Sequence, residues 1–140
     1  MVDNLSPADR SRMMSKIKGA NTKPELAVRS FLHRQGLRFR LHGKELPGSP
    51  DIVLPRYRAV VFVHGCFWHR HPGCRYAYEP KSRPEFWNRK FDQNVERDAR
   101  KEQLLRDLGW RVFVVWECET KDTDRLNELV LRLRLGSEQR

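Results

Sequence analysis

A chain of 140 residues lies within the size range of one domain, so its functional groups are expected to share a single scaffold over residues 1–140. Hydrophobic residues make up 39% and charged residues 33%, which excludes a wholly disordered chain. Lys plus Arg number 28 against 18 Asp plus Glu, a net charge of +10 that favours a polyanionic partner, although charge alone does not separate a nucleic-acid binder from a merely basic protein.

Residues 1–15 contain Asp3, Asp9, Arg10 and Arg12, which rules out the apolar core of a signal peptide, and no later run is long enough to span a bilayer. A soluble, cytoplasmic protein is expected. Ser6-Pro7-Ala8-Asp9 opens a short basic arm helix within residues 1–20, carrying Arg10, Arg12, Lys16 and Lys18. Thr22-Lys23-Pro24-Glu25 repeats the start signal, and the pairs Ala27/Phe31 and Val28/Leu32 give a packing face before Gly36 ends the helix. Leu37, Phe39 and Leu41 alternate with Arg38, Arg40 and His42 as a half-buried strand does. The turn Pro47-Gly48-Ser49-Pro50 leads into a strand at Asp51-Ile52-Val53-Leu54, and the apolar run 59–63 reads as a central strand.

Residues 65–82 lack periodicity and should form an irregular loop that needs a staple. Ser82-Arg83-Pro84-Glu85 starts a long helix that Gly109 closes, with Lys90, Arg97, Arg100 and Lys101 along its polar stretch. Residues 110–116 form another strand, and Asp122 or Thr123 caps a last helix through Leu126, Leu129, Val130 and Leu133, before a polar tail at 136–140. This order, ααβββαβα, implies an α/β fold in which helices flank a mixed central sheet.

Cys66, His71 and Cys74 read as C-x4-H-x2-C, and Cys118 follows the last strand, where a neighbouring strand of the sheet can return it to the same loop. Three thiolates and one imidazole would complete a closed, tetrahedral structural zinc site holding one ion. The plainer reading makes Cys118 a buried strand residue and the other two thiols incidental. Phosphodiester hydrolysis asks for a carboxylate and main-chain oxygens to hold magnesium and an imidazole to activate water. Asp51 and His64 stand at strand ends that can meet, with Asp51 as the metal ligand, although an aspartate after Gly48-Ser49-Pro50 is more often a turn residue.

The string Val60-Val61-Phe62-Val63-His64-Gly65-Cys66-Phe67-Trp68-His69 strongly resembles the very-short-patch-repair (Vsr) endonucleases. Thr22-Lys23-Pro24-Glu25, Pro50-Asp51-Ile52-Val53, Glu85-Phe86-Trp87, Asn94-Val95-Glu96-Arg97-Asp98, Leu108-Gly109-Trp110-Arg111-Val112 and Val115-Trp116-Glu117-Cys118 look like further family motifs in family order, spanning roughly residues 5–120. The resemblance implies a magnesium-dependent enzyme that nicks 5′ to the thymine of a thymine–guanine mismatch. It also implies a fold related to PD-(D/E)xK restriction endonucleases, with His64 in place of the usual acid-x-lysine pair. Carried over by position, Asp51 and the Val63 carbonyl bind magnesium, with two ions expected, while His64 and Glu25 act through water on the metal. His69 becomes the candidate general base and Asp98 its orienting partner. Glu25 is also the third helical residue of a capping box, Asp98 could be an exposed ion-pair partner, and His69 competes with His71 for the zinc because Pro72-Gly73 lengthens the family spacing.

In the same family, aromatics at the positions of Phe67, Trp68 and Trp87 wedge into the base stack. Unstacking costs least at a mismatch, so insertion itself favours damaged DNA. Arg10, Arg12, Lys16, Lys18 and Lys90 are candidates for phosphate contacts. The partner expected is double-stranded DNA with a T:G mismatch, bound by a monomer that associates with the nucleoid and meets other mismatch-repair proteins. Two rival readings are a zinc-bearing DNA-binding module without catalysis, which leaves Asp51, His64 and His69 without a task, and a zinc hydrolase of small molecules, which a closed four-ligand site disfavours.

Overall fold

Thr22 caps the first helix, its Oγ1 accepting from the Glu25 N–H at 3.4 Å, and helix α1 (Lys23–Arg34) buries Val28, Phe31 and Leu32 on one stripe. The computed structural model describes residues 22–137, so the expected arm helix with Arg10, Arg12, Lys16 and Lys18 lies outside the described residues, as does the end of the tail. Helix α1 stops at Arg34, and Gly36 takes the left-handed conformation (φ 83°) that turns the chain away.

Strand β1 (Arg40–Leu41) is shorter than the alternation at 37–41 predicts. Among the described residues it is an edge strand paired with β2 (Ile52–Leu54) alone, itself short, and the chain leaves the ladder at His42 with φ 51°. Leu37 is buried ahead of the strand instead, and Leu41 faces solvent. Strand β2 runs antiparallel to β3 (Ala59–His64), which pairs in parallel with β4 (Arg111–Trp116), giving a mixed sheet of order β1-β2-β3-β4. The continuous apolar run of β3 belongs to a strand paired on both sides and covered on both faces.

The parallel pairing of β3 with β4 demands a long crossover, which loop 65–83 and helix α2 (Pro84–Asp107) supply. Arg83, at φ 53°, precedes Pro84 as the N-cap and forms no side-chain cap bond, so Ser82 does not open this helix. Proline disfavours the helical conformation in the residue before it, and that moves the boundary. Helix α3 (Thr123–Ser137) is capped as the sequence suggests, Asp122 Oδ1 accepting from the Asp124 N–H at 3.1 Å.

Alternation along β3 divides the core. Ala59 and Val61 pack with Val28, Leu32, Leu126 and Leu133 of α1 and α3, whereas Val60 and Phe62 pack with Leu105 of α2 on the other face. Helix α2 buries Phe91 and Leu105, separated along the helix by about 21 Å at 1.5 Å per residue. Between those anchors it carries polar side chains across a cleft. Among the described residues no helix is long and apolar enough to cross a membrane.

Candidate active site and metal centre

The antiparallel register of β2 and β3 sets the start of β2 beside the end of β3, where the Asp51 Oδ2 accepts the Val63 N–H at 2.7 Å. Burial pushes the Asp51 carboxyl up to about 6; the Val63 hydrogen bond opposes that shift and the neighbouring Glu25 carboxylate adds to it. Glu25 is 2% exposed, pairs with Arg29 one turn along α1, and lies 3.1 Å from His42 Nε2. A cleft of about 660 Å³ opens over these acids, lined also by His64, His69, Asp98 and Lys90.

His64, the last residue of β3, is 6% exposed and stacks on His69, with ring centroids 3.9 Å apart and planes 6° from parallel. Burial, aided by the His69 charge, pushes the His64 imidazole down to about 4, so it is neutral at physiological pH. His69 Nδ1 lies 2.6 Å from Asp98 Oδ2 on α2. Burial acts to raise the Asp98 carboxyl, but the hydrogen bond and charge of His69 outweigh it and hold it below its ordinary value. In the neutral ring, Nδ1–H donated to the carboxylate puts the lone pair on Nε2, where a proton can be accepted.

The parallel register pairs His64 with Trp116, so Cys66 and Cys118 leave their strands at the same height. The Cys118 N–H donates to Cys66 Sγ at 3.4 Å; His71 Nδ1 lies 3.7 Å from Cys66 Sγ and 3.3 Å from Cys118 Sγ. With Cys74, these ligand atoms all lie within 4.8 Å of one another, a cluster that can hold a metal ion. Burial pushes the Cys66 thiol up to about 12 and also raises Cys118, while Cys74 is lowered because the Tyr76 backbone and neighbouring thiols outweigh its burial. Three crowded thiols of this kind become thiolates together only around a cation. His71, stacked on Trp116 at 4.3 Å, supplies the imidazole of this cluster, and His69 lines the cleft. Gly73 at φ 68° makes His71-Pro72-Gly73-Cys74 a turn with proline second and glycine third, which takes up the extra residue.

Phe67 and Trp68 line the same cleft, and Trp87 stands against Trp68 with ring centroids 5.8 Å apart. Phe67 sits among Trp68, Tyr78 and Phe91 at centroid distances of 4.9–5.1 Å. Arg70 holds this loop, donating to the carbonyls of Phe67, Ala77 and Tyr78 with its guanidinium 4.0 Å over Phe91. Asn94 on α2 donates to the Trp68 carbonyl at 3.3 Å. Sequence reasoning did not single out Arg29, His42, Arg70 or Phe91. The alternation along 37–42 makes His42 an outward residue of a strand, and the others carry no signal beyond a basic or apolar side chain.

The model for the family described as DNA mismatch endonuclease Vsr matches residues 2–75. A type II nicking enzyme, V.XorIIP, from Xanthomonas oryzae pv. oryzae is 55% identical over 134 residues, covering 96% of each chain. Another, V.NmeAIP from Neisseria meningitidis, is 46% identical, covering 96% of this chain and 98% of that one. The DNA mismatch endonuclease Vsr of Escherichia coli K12 is 44% identical over 135 residues, covering 96% of this chain and 86% of its own. The family match and these relatives place the chain among the DNA endonucleases. It belongs to the Vsr family of DNA mismatch endonucleases.

Proposed function

We propose that the protein is a magnesium-dependent, strand-specific endonuclease that nicks DNA 5′ to the mismatched thymine of a T:G pair and so starts very short patch repair. The observation that carries this reading is the convergence of Asp51, His64, His69 and Asp98 in one cleft that also holds Phe67 and Trp68. A DNA-binding module without catalysis gives the buried carboxylate and the His69–Asp98 pair nothing to do.

In this reading Asp51 and the Val63 carbonyl would hold magnesium, with two ions expected, and the donors fit because hard oxygen ligands suit that ion. Bound there, magnesium supplies Lewis-acid stabilisation of charge on the phosphate oxygens. Glu25 and neutral His64 hydrogen-bond water beside the ion site. His69 Nε2 takes the proton from the attacking water, and Asp98 orients the ring and stabilises its charged form. Cys66, His71, Cys74 and Cys118 hold structural zinc: tetrahedral Zn–S bonds of about 2.3 Å place sulfurs about 3.8 Å apart, which this cluster accommodates. The clamp fixes the loop that presents Phe67, Trp68 and His69.

Phe67, Trp68 and Trp87 act as the wedge that opens a weakened step, while Arg10, Arg12, Lys16, Lys18 and Lys90 follow the phosphates. The sheet and its flanking helices support a restriction-endonuclease-like fold, organised as one domain over 1–140 and acting as a monomer in the cytoplasm, on the nucleoid and alongside other mismatch-repair proteins.

The test is a panel of duplexes, matched and mismatched in varied flanking sequence, each strand end-labelled and incubated with magnesium. The expected result is one nick, 5′ to the thymine of T:G, lost in Asp51→Ala and His69→Ala while binding survives. Equal cutting of matched DNA would remove the mismatch claim. Binding without any cutting by the wild-type chain would favour the non-catalytic module.

A further inference from the structure

We infer that His42, with Arg29 beside it, is a positioning residue for the nicking reaction: it ties the Glu25 side chain to the Asp51 main chain and so fixes how the two acids face the cleft. The inference rests on the reading of Asp51 and Glu25 as the groups around the catalytic ion.

Two bonds of His42 reach the two acids separately. Its Nε2 lies 3.1 Å from Glu25 Oε2, and its backbone N–H donates to the Asp51 carbonyl oxygen at 3.0 Å. The Arg29 guanidinium pairs with the same Glu25 oxygen and comes within 3.2 Å of His42 Nε2. The Glu25 side chain is 3% exposed, so bulk solvent has little access to replace these partners. The Asp51 carboxyl stands within electrostatic and hydrogen-bonding reach of Glu25, so the two acids crowd one another. A like-charged pair in a buried place keeps its geometry only with cationic and donor groups behind it. Arg29 and His42 occupy that place.

A purely structural role for the imidazole does not account for the arrangement. The turn from 42 to 51 is closed by main-chain bonds, His42 N to Asp51 O, Gly43 N to Pro50 O and Leu46 N to Gly43 O, none of which needs a side chain at 42. It is also fixed by packing, since a Cβ at Gly43 would lie 2.7 Å from Val53 Cγ2. His42 holds φ 51°, a left-handed conformation in which side chains are uncommon and which gathers at functional sites. That conformation turns the ring out of the path of β1 and onto Glu25.

The experiment compares His42→Asn, His42→Gln and Glu25→Gln, singly and as the Glu25→Gln/His42→Asn pair. Asparagine tolerates the left-handed backbone and keeps the N–H to Asp51, but its amide ends nearer the main chain and does not reach Glu25. Glutamine reaches as far as Nε2 and donates. His42→Asn is expected to lower single-turnover nicking of the T:G duplex about 10-fold or more, His42→Gln to restore most of it, and His42→Asn to add nothing once Glu25 is glutamine. In magnesium-free protein, the Glu25 side-chain carboxyl resonance should move in His42→Asn and return in His42→Gln.

Wild-type nicking by His42→Asn, or the same loss with and without Glu25, overturns the inference. Should the wild-type chain nick no duplex, the reading of the site fails, and the resonance alone decides His42: an unmoved Glu25 signal overturns the coupling.

Discussion

Asp51 is ionised at a cost that its surroundings impose. Its carboxyl is raised from an ordinary 3.8 to about 6, with burial the main cause, so between those values the folded chain binds more proton than the unfolded one. The stability this group contributes is therefore complete below about 3.8 and lost as pH rises through about 6. His64 has the opposite sign: lowered from 6.5 to about 4, it contributes fully above 6.5 and loses that contribution as pH falls through about 4. The two effects oppose each other between pH 4 and 6, which flattens the acid side of the stability profile. Above pH 7 only the Asp51 penalty persists. Asp51→Asn keeps an acceptor for the Val63 N–H and carries no charge, so in magnesium-free buffer at pH 7.5 it should be more stable than wild type by on the order of 2 kcal/mol. Near pH 4 the difference should vanish. Denaturant unfolding at both pH values measures it, and a variant destabilised at pH 7.5 would contradict the burial argument. The same variant should have no nicking activity, so here stability and function are in opposition.

At the scale of elements, the parallel pairing of β3 and β4 delivers Cys66 and Cys118 to one point, and loop 65–82 closes the cluster from outside. Cys66 alone of that loop is fully buried, and the loop holds its shape through the cluster, Arg70 and the aromatic contacts. Cys118→Ser should therefore release the bound metal and make the loop sensitive to trypsin at Arg70 and Arg75, while far-UV circular dichroism still reports the sheet and helices. A variant that keeps one ion per chain and resists trypsin would rule out the proposed ligand set. The cysteine cluster and strands β3 and β4 were legible in the sequence because each rests on a local signal: ligand spacing, or a short apolar run between turn residues. The end of α1 was legible for the same reason, at Gly36. Strand β1 was not, because alternation at 37–41 records which side chains are apolar and not where a partner strand ends. His42 and Arg29 were missed because their role exists only in the fold, where the turn at 42–51 and the first helix bring them onto one carboxylate. Arg70 was missed for a similar reason, since three of its partners are carbonyls that no residue type announces.

At the scale of the whole molecule, the proposed function assigns affinity and discrimination to different parts of the surface. Helix α2, buried at Phe91 and Leu105, lines the cleft with Lys90, Arg97 and Lys101 as well as Asp98 and Glu102, so its cations outnumber its acids on the face it shares with Glu25 and Asp51. The aromatic group on loop 65–82 reaches the same opening from the other side. Phosphate contacts release counterions and set a salt dependence that ignores sequence, whereas an unstacking wedge reads how easily a base step opens. The two contributions should therefore respond to different mutations. If Lys90 meets a phosphate, Lys90→Gln should reduce the slope of log K against log salt concentration by about 0.9 and weaken matched and T:G duplexes equally. Trp68→Ala should leave that slope unchanged and reduce the preference for T:G over matched DNA, because the penalty it removes is smaller at the mismatch than elsewhere. Titrations of both duplexes at several salt concentrations, without magnesium so that no strand is cut, resolve slope from preference. A Trp68→Ala chain that keeps its full preference for T:G would place mismatch reading outside the aromatic group, and a shared loss of slope would mean that charge and wedge act as one surface.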